Sequence, residues 1–298
     1  MQIFTTRREL QQFALGAKRS GKTIALVPTM GFLHEGHTSL MDIARAKADI
    51  VIVSIFVNPK QFAPTEDFDR YPRDFDGDLA KCRAHNVDVI FAPEISGMYD
   101  GNSSTWVEET VLAQPLCGAS RPTFYRGVTT VVAKLFLLAQ PDYAVFGLKD
   151  AQQCFVIQRM VRDLDFPVEI IPAPLVRDAD GLALSSRNRY LSADERSRAL
   201  SIHRSLLQAK ARIISEKAFA PAIAEAVKTV SAAGGRVDYI EILDCDTMTA
   251  PNADTKQVIY RIKCQQHRRR QSNRGGLHGI VDHADKICIG QTIEYRNQ

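Results

Sequence analysis

His34 and His37 stand three residues apart in Pro28-Thr29-Met30-Gly31-Phe32-Leu33-His34-Glu35-Gly36-His37, directly after the apolar run Ile24-Ala25-Leu26-Val27. Downstream, Leu40, Ile43 and Ala44 share one face of a helical pattern, so the decamer reads as a strand-to-helix turn. Both imidazoles then lie on one side of the first helical turn, beside its unpaired N–H groups, where phosphate binds. The helix dipole favours the neutral imidazole while such a site is empty. A neutral ring still donates one hydrogen bond to a phosphate oxygen, and it gains a proton once the anion arrives. Gly31 and Gly36 are expected to let the backbone approach a bulky anion. A pair of surface histidines beside a glycine turn fits the same letters; the placement after a buried strand favours the phosphate site.

Two further stretches carry phosphate chemistry. Gly147-Leu148-Lys149-Asp150 again sits where a strand gives way to a helix, and a lysine at that unfavourable end of a helix suggests a bound anion, although a solvated lysine would look the same. Leu182-Ala183-Leu184-Ser185-Ser186-Arg187-Asn188 joins two hydroxyls to a guanidinium that can grip phosphate in a fork; alone it would read as a polar loop. Asn58 and Gln61, after a strand, and Gln153, in the turn after Lys149, are neutral amides able to hydrogen-bond a hydroxy acid without adding charge. They too would pass for ordinary loop residues. Gly16 to Thr23 matches the phosphate-loop pattern G-x-x-x-x-G-K-[ST], but a helical pattern precedes it and a strand follows, the reverse of what such a loop needs. It is expected to be an ordinary helix exit.

The elements that must position these residues alternate. Helical spacing over Arg7 to Lys18 precedes the strand at Ile24. Asp49 to Val57 is a continuous apolar, β-branched run, the mark of a parallel strand covered on both faces. Helix from Phe75 to His85, strand from Val87 to Ala92, buried helix from Val128 to Ala139, strand from Tyr143 to Gly147, helix from Asp150 to Asp163 and strand from Val168 to Ile171 follow. This rhythm predicts an α/β fold, a doubly wound Rossmann-like parallel sheet over residues 1–175. Beyond Val176, Ser192-Ala193-Asp194-Glu195 is a capping box opening a mostly helical stretch to about residue 233, and Val237 to Ile242 alternates as a strand. A second, smaller α+β domain is therefore expected over 176–250, with 251–298 as an atypical basic segment.

No run of 18 apolar residues occurs and the N-terminus lacks an apolar signal core, so a cytoplasmic location and no membrane contact are expected. The six cysteines are scattered, with neither a metal knuckle nor a disulfide framework indicated. Of the net charge of +4, residues 251–298 hold nine Lys/Arg against four Asp/Glu, leaving a body that is slightly acidic. That argues against a nucleic-acid-binding body.

The motifs V-P-T-M-G-x-L-H-x-G-H, V-S-I-F-V-N-P-x-Q-F, R-Y-P-R, R-P, K-D-x-Q-Q and D-G-L-A-L-S-S-R-N-x-Y-L run in order from about residue 22 to 245. In these the chain resembles the pantothenate synthetases, members of the H-x-G-H nucleotidyltransferase group related to class I aminoacyl-tRNA synthetases. The resemblance implies ATP-dependent condensation of pantoate with β-alanine through a pantoyl adenylate, with release of AMP and diphosphate. It implies that Met30, Gly31, His34, His37, Gly147, Lys149, Asp150, Val176, Leu184, Ser185, Ser186 and Arg187 hold ATP. His37 takes the position of the proposed proton donor, and His34, Lys149 and Arg187 join it as catalytic donors. Gln61 and Gln153, with Asn58, would hold pantoate, and Gln61 would also lie near β-alanine. Mg²⁺ is implied through the ATP phosphates, with no metal ligand set in the chain, and a homodimer is implied.

The chain departs from that pattern in three places. Leu148 replaces the usual Glu beside Lys149. Thr123-Phe124-Tyr125 stands after Arg121-Pro122 in place of a His-Phe pair. The family's ending is absent from 251–298, where Gln265 to Gly276 reads like sequence from another source, such as a shifted frame. Val258, Tyr260 and Ile262 alternate as a strand would, while 264–285 is expected to pack poorly. Two other readings stand beside the ligase: nucleotidylyl transfer to a phosphorylated acceptor, which the S-S-R loop and glutamine pair disfavour, and an impaired nucleotide-binding homologue with a basic tail, which the intact histidines and cations disfavour.

Overall fold

A computed structural model describes the chain except residues 65, 217, 218, 253, 254, 256, 267–285 and 295–298, with 263–266 and 286–294 described as backbone. It divides into two compact units, Met1–Val176 with Leu184–Ser186, and Arg177–Ala183 with Arg187–Gln298.

The first unit runs β1 (Gln2–Phe4), α1 (Arg7–Arg19), β2 (Ile24–Thr29), α2 (Glu35–Arg45), β3 (Ile50–Ile55), α3 (Phe75–Ala84), β4 (Val89–Phe91), α4 (Ile95–Met98), α5 (Cys117–Ser120), α6 (Phe124–Ala139), β5 (Tyr143–Gly147), α7 (Ala151–Asp163) and β6 (Glu169–Ala173). The sheet is ordered β1-β4-β3-β2-β5-β6 with every pair parallel. Its strands are apolar throughout because both faces are covered. Ile24, Leu26, Ile50 and Ile52 pack with Leu10, Val132, Phe136 and Ile157 on one side. Ala25, Val27, Val51 and Val53 pack with Leu40, Met41, Ala44, Leu79 and Cys82 on the other. The expected α/β sheet is present, with β1 as an edge strand that its three residues were too few to announce. Helix α6 starts one turn earlier than its apolar pattern, at Phe124.

The strand order fixes where a ligand can sit. From β2 the chain winds outward through β3 and β4, then returns to lay β5 and β6 on the opposite flank of β2. The switch between β2 and β5 leaves a crevice at their C-terminal ends. The Pro28 to His37 turn leaves one of those ends and Gly147 to Asp150 the other. At Gly16 to Thr23, by contrast, α1 runs out at Arg19 before β2 begins at Ile24, the order expected of a helix exit.

The second unit holds α8 (Ala193–Glu216), α9 (Phe219–Ala232), β7 (Gly235–Asp244), β8 (Gln257–Gln266) and β9 (Lys286–Glu294), the strands antiparallel in the order β7-β8-β9. The Ser192 capping box forms: Ser192 N–H donates to Glu195 Oε2 at 2.8 Å and Glu195 N–H to Ser192 Oγ at 3.2 Å. Val258, Tyr260 and Ile262 do lie in a strand, β8, where Ile259 and Arg261 between them are buried as well. Of the stretch expected to pack poorly, 264–266 continue β8; 267–285 lies outside the described residues.

Candidate active site

Helix α2 is capped by the two histidines. His34 is its N-cap residue, and Gly36 N–H donates to His34 Nδ1 at 3.1 Å. His34 N–H in turn donates to His37 Nδ1 at 3.3 Å, and the ring centroids are 4.0 Å apart. A nitrogen that accepts a backbone N–H carries no proton, so both rings are the neutral tautomer protonated at Nε2. Burial, followed by the repulsion a protonated His34 would exert and the charge of Lys149, pushes the His37 pKa down from 6.5 to about 3, against an upward pull from Asp150. The neutrality expected from the helix dipole is thus chiefly an effect of desolvation.

The room left by the glycines is used differently than expected. A Cβ on Gly36 would lie 2.9 Å from His34 Cε1, and one on Gly31, at φ +79°, would lie 2.9 Å from Asp78 Oδ2. The space a Cβ would take at these two glycines is held by the protein's own side chains. At Gly147 the room is open, with Leu40 Cδ2 nearest at 4.0 Å.

Lys149 lies in a single 3₁₀ turn, Leu148–Asp150, with its Nζ 3.4 Å from Asp150 Oδ2. Leu148, where a glutamate was expected, packs against the core instead, and Asp150 supplies the carboxylate beside the lysine. Val176 accepts the Leu184 N–H at 3.1 Å, and Ser186 Oγ donates to the Phe32 carbonyl at 3.2 Å, tying the S-S-R stretch to the histidine turn within the first unit. Ser185 and Gln153 are half-buried in that unit, and Arg187 belongs to the second.

The turn after β3 is built around Asn58. This residue was expected to face substrate, but it is 1% exposed and its amide is engaged on every side. Its Nδ2 donates to Gln61 Oε1 and to the Gly127 carbonyl, both at 3.1 Å, while its Oδ1 accepts from Lys60 N–H at 3.2 Å and Tyr99 OH at 2.9 Å. Asn58 therefore orients Gln61. The Gln61 Nε2 is left facing Met30 Sδ at 3.2 Å, a weak acceptor that a substrate oxygen would displace. Arg121 holds the Gln61 carbonyl at 3.0 Å while forking onto Glu66 with two contacts of 2.6 Å. In the Thr123-Phe124-Tyr125 departure, the Phe124 ring takes the Arg121 guanidinium on its face at 3.8 Å.

Sequence reasoning missed Tyr99 and Asp78. Asp78 could have been found, since it lies four residues before buried Cys82 and so shares its inward helix face. Tyr99 had no such signal.

The pantoate-beta-alanine ligase family model matches residues 2–270. A pantothenate synthetase of Thermotoga neapolitana is 48% identical over 264 residues, 88% of this chain and 94% of the relative. One of Moorella thermoacetica is 50% identical over 250 residues, 83% and 88% of the two chains. Among solved structures, the pantothenate synthetase of Thermus thermophilus gives a TM-score of 0.82 at 37% identity, covering 98% of this chain and 99% of that one. The pantoate-beta-alanine ligase of Francisella tularensis, complexed with β-γ ATP and β-alanine, gives 0.77 at 28% identity over 99% and 97%. By its family match and by close relatives along nearly all of their length, the chain belongs to the pantoate–β-alanine ligase family.

Proposed function

We propose that the chain condenses pantoate with β-alanine at the expense of ATP, through a pantoyl adenylate. A pantoate carboxylate oxygen attacks the α-phosphorus, the α–β P–O bond breaks, and diphosphate leaves with the bonding pair. The β-alanine amine then adds to the acyl carbon, the acyl C–O bond breaks, AMP leaves, and the new amide nitrogen gives up its proton.

The observation that carries this reading is the pair of neutral imidazoles at the α2 N-terminus, each with Nδ1 on a backbone N–H and its proton on Nε2. Such rings are fixed hydrogen-bond donors for phosphate oxygens on which charge builds as the α-phosphorus is attacked, and His37 would act as proton donor once the bound anion lets it gain a proton. Lys149 adds a positive charge beside them, and Arg187 is assigned as a further cation for the phosphates. Preorganised donors of this kind are worth roughly 10² to 10³ in rate each. Met30, Gly31, Gly147, Asp150, Val176, Leu184, Ser185 and Ser186 would line the nucleotide. Gln61, oriented by Asn58, would donate to pantoate, joined by Gln153, and would border β-alanine.

Mg²⁺ fits this site only as a passenger on the ATP phosphates. The donors here are N–H groups and cations, and among the described residues no group of three or more His, Cys, Asp or Glu gathers for a metal ion. When bound it would neutralise phosphate charge. We assign nucleotide and pantoate binding to residues 1–175 and a covering role to 176–250, and propose a cytoplasmic homodimer; among the described residues no helix is long and apolar enough to cross a membrane.

The test is AMP and diphosphate release from Mg-ATP with pantoate, with and without β-alanine, in the full chain and in His37→Ala. Release that needs pantoate, yields pantothenate with β-alanine and collapses in the variant is expected. Release without pantoate would overturn the assignment.

A further inference from the structure

Asp78 lies in α3, outside the turn that carries the histidines, and is 1% exposed. Its Oδ2 accepts the Phe32 N–H at 2.8 Å and its Oδ1 accepts the Leu33 N–H at 2.7 Å. These are charge-assisted bonds to two successive peptides of the turn, and they end immediately before His34. The clamped backbone is strained: Phe32 sits at φ +52°, a left-handed conformation that a bulky aromatic side chain avoids. Strain of this kind persists only where the surroundings over-determine it. Here Asp78 grips the N–H of Phe32, Ser186 Oγ grips its carbonyl, and Gly31 leaves the gap that lets the carboxylate in.

We propose that Asp78 is a positioning residue that holds His34 and His37 in register at the α2 N-terminus by clamping the left-handed Phe32 peptide. Its link to catalysis rests on the ligase reading above; the clamp itself does not. The chain of contact is short. Asp78 fixes the Phe32 and Leu33 amides, the next residue is the N-cap, its N–H sets the His37 tautomer, and the Gly36 N–H sets that of His34. Burial pushes the Asp78 carboxyl above its ordinary range in spite of both backbone bonds, with Lys81 easing the charge and Asp74 opposing it. A buried carboxylate whose desolvation outweighs its hydrogen bonds is a poor choice for stability alone, which fits a residue kept for geometry.

The experiment uses the full chain with Asp78→Ala, which removes both acceptors, and Asp78→Asn, which keeps one and preserves shape. Imidazole ¹⁵N spectra of His34 and His37 are read first, since they need no turnover. Single Nε2–H tautomers are expected in the parent and mixed tautomers in Asp78→Ala. Pantoate-dependent diphosphate release should fall about 10²-fold in Asp78→Ala, the size of one misplaced donor, and less in Asp78→Asn. Phe32→Gly, which takes a positive φ without strain, should recover about tenfold in the Asp78→Ala background. Adding Asp78→Ala to a His34→Ala/His37→Ala chain should change nothing further. Unchanged tautomers in a folded Asp78 variant, no rescue by Phe32→Gly, or a full additional loss without the histidines would each overturn the proposal. A parent that releases no diphosphate would instead defeat the ligase reading, while the spectra would still decide the clamp.

Discussion

Two glycine turns flank β2, and they differ in what their glycines make room for. In Gly16 to Thr23 a Cβ on Gly16 or Gly21 would meet nothing within 4 Å, although Gly21 has φ +72°. In Pro28 to His37 the gaps at Gly31 and Gly36 are filled by the Asp78 carboxylate and the His34 ring. The first turn lets a helix end and a strand begin. The second opens space for side chains that then hold the turn in one shape and fix two imidazoles. A glycine-rich stretch thus becomes a site when its empty volume is claimed by groups that orient donors, and when a strand rather than a helix leads into it.

The sharpest way to break that contrast is to remove the lysine beside the histidines, Lys149, and the lysine within the Gly16 turn, Lys22. Lys149→Ala should lower pantoate-dependent diphosphate release by about 10²- to 10³-fold, as expected for loss of one preorganised charge. Lys22→Ala, at an exposed position in the phosphate-loop look-alike, should leave it unchanged. Steady-state kinetics with Mg-ATP decides between them, and a comparable loss in Lys22→Ala would restore the discarded motif. Glycine replacement comes next. Gly36→Ala drives a methyl into the His34 ring and should lower the rate about 10²-fold. Gly16→Ala, exposed in α1 with open space around it, should keep the rate and raise stability by about 0.5 to 1 kcal/mol in denaturant unfolding.

The buried imidazole also leaves a pH signature that the Gly16 turn lacks. His37 titrates near 3 in the folded chain against an ordinary value of 6.5, so on acidification the unfolded chain takes up a proton that the folded chain refuses. Stability present above pH 6.5 is therefore lost as the pH falls toward 3. Between about pH 7 and pH 5 this one group accounts for at most about 2 kcal/mol. Denaturant unfolding of the ligand-free chain at the two pH values should show His37→Gln losing less stability than the parent by about that amount, and parallel losses would contradict the burial of His37.

What was legible in the residues follows from how local each cause is. The central strands announced themselves because a strand covered on both faces must be apolar at every position, as Ile24 to Val27 and Ile50 to Val53 are. The histidine turn was legible because its chemistry and its capping lie within ten residues of one another. Asp78 and Tyr99 were not, because each acts on a peptide or amide more than forty residues away that only the folded sheet brings near. Strand β1 was too short for periodicity, and its partner β4 is remote. The neighbours of Gly31 and Gly36 were illegible for a related reason: sequence shows that a glycine leaves a gap, and only packing shows which side chain fills it.

The same contrast extends to the turn after β3, where a side-chain amide does what Gly31 and Asp78 do at the histidines. Asn58 has almost no exposed surface to offer a ligand, yet it sets which end of the Gln61 amide faces Met30: Oε1 is taken by Asn58, so Nε2 points to the Met30 sulfur. Tyr99 locks Asn58 in turn, because its hydroxyl donates to Oδ1, which forces Nδ2 toward Gln61. Tyr99→Phe removes that lock while keeping the ring that packs on Phe56 and receives Lys60 on its face. The Lys60 N–H still holds Oδ1, so the turn should persist with a less firmly oriented amide. A neutral hydrogen bond is worth about 0.5 to 1.5 kcal/mol, which predicts a KM for pantoate raised up to about tenfold, with KM for ATP and the thermal midpoint little changed. If kcat falls and both KM values rise together with a loss of stability, Tyr99 is simply a core residue and the relay to Gln61 is absent. If pantoate alone binds more weakly, the amide orientation is set from Tyr99, two steps removed from the substrate.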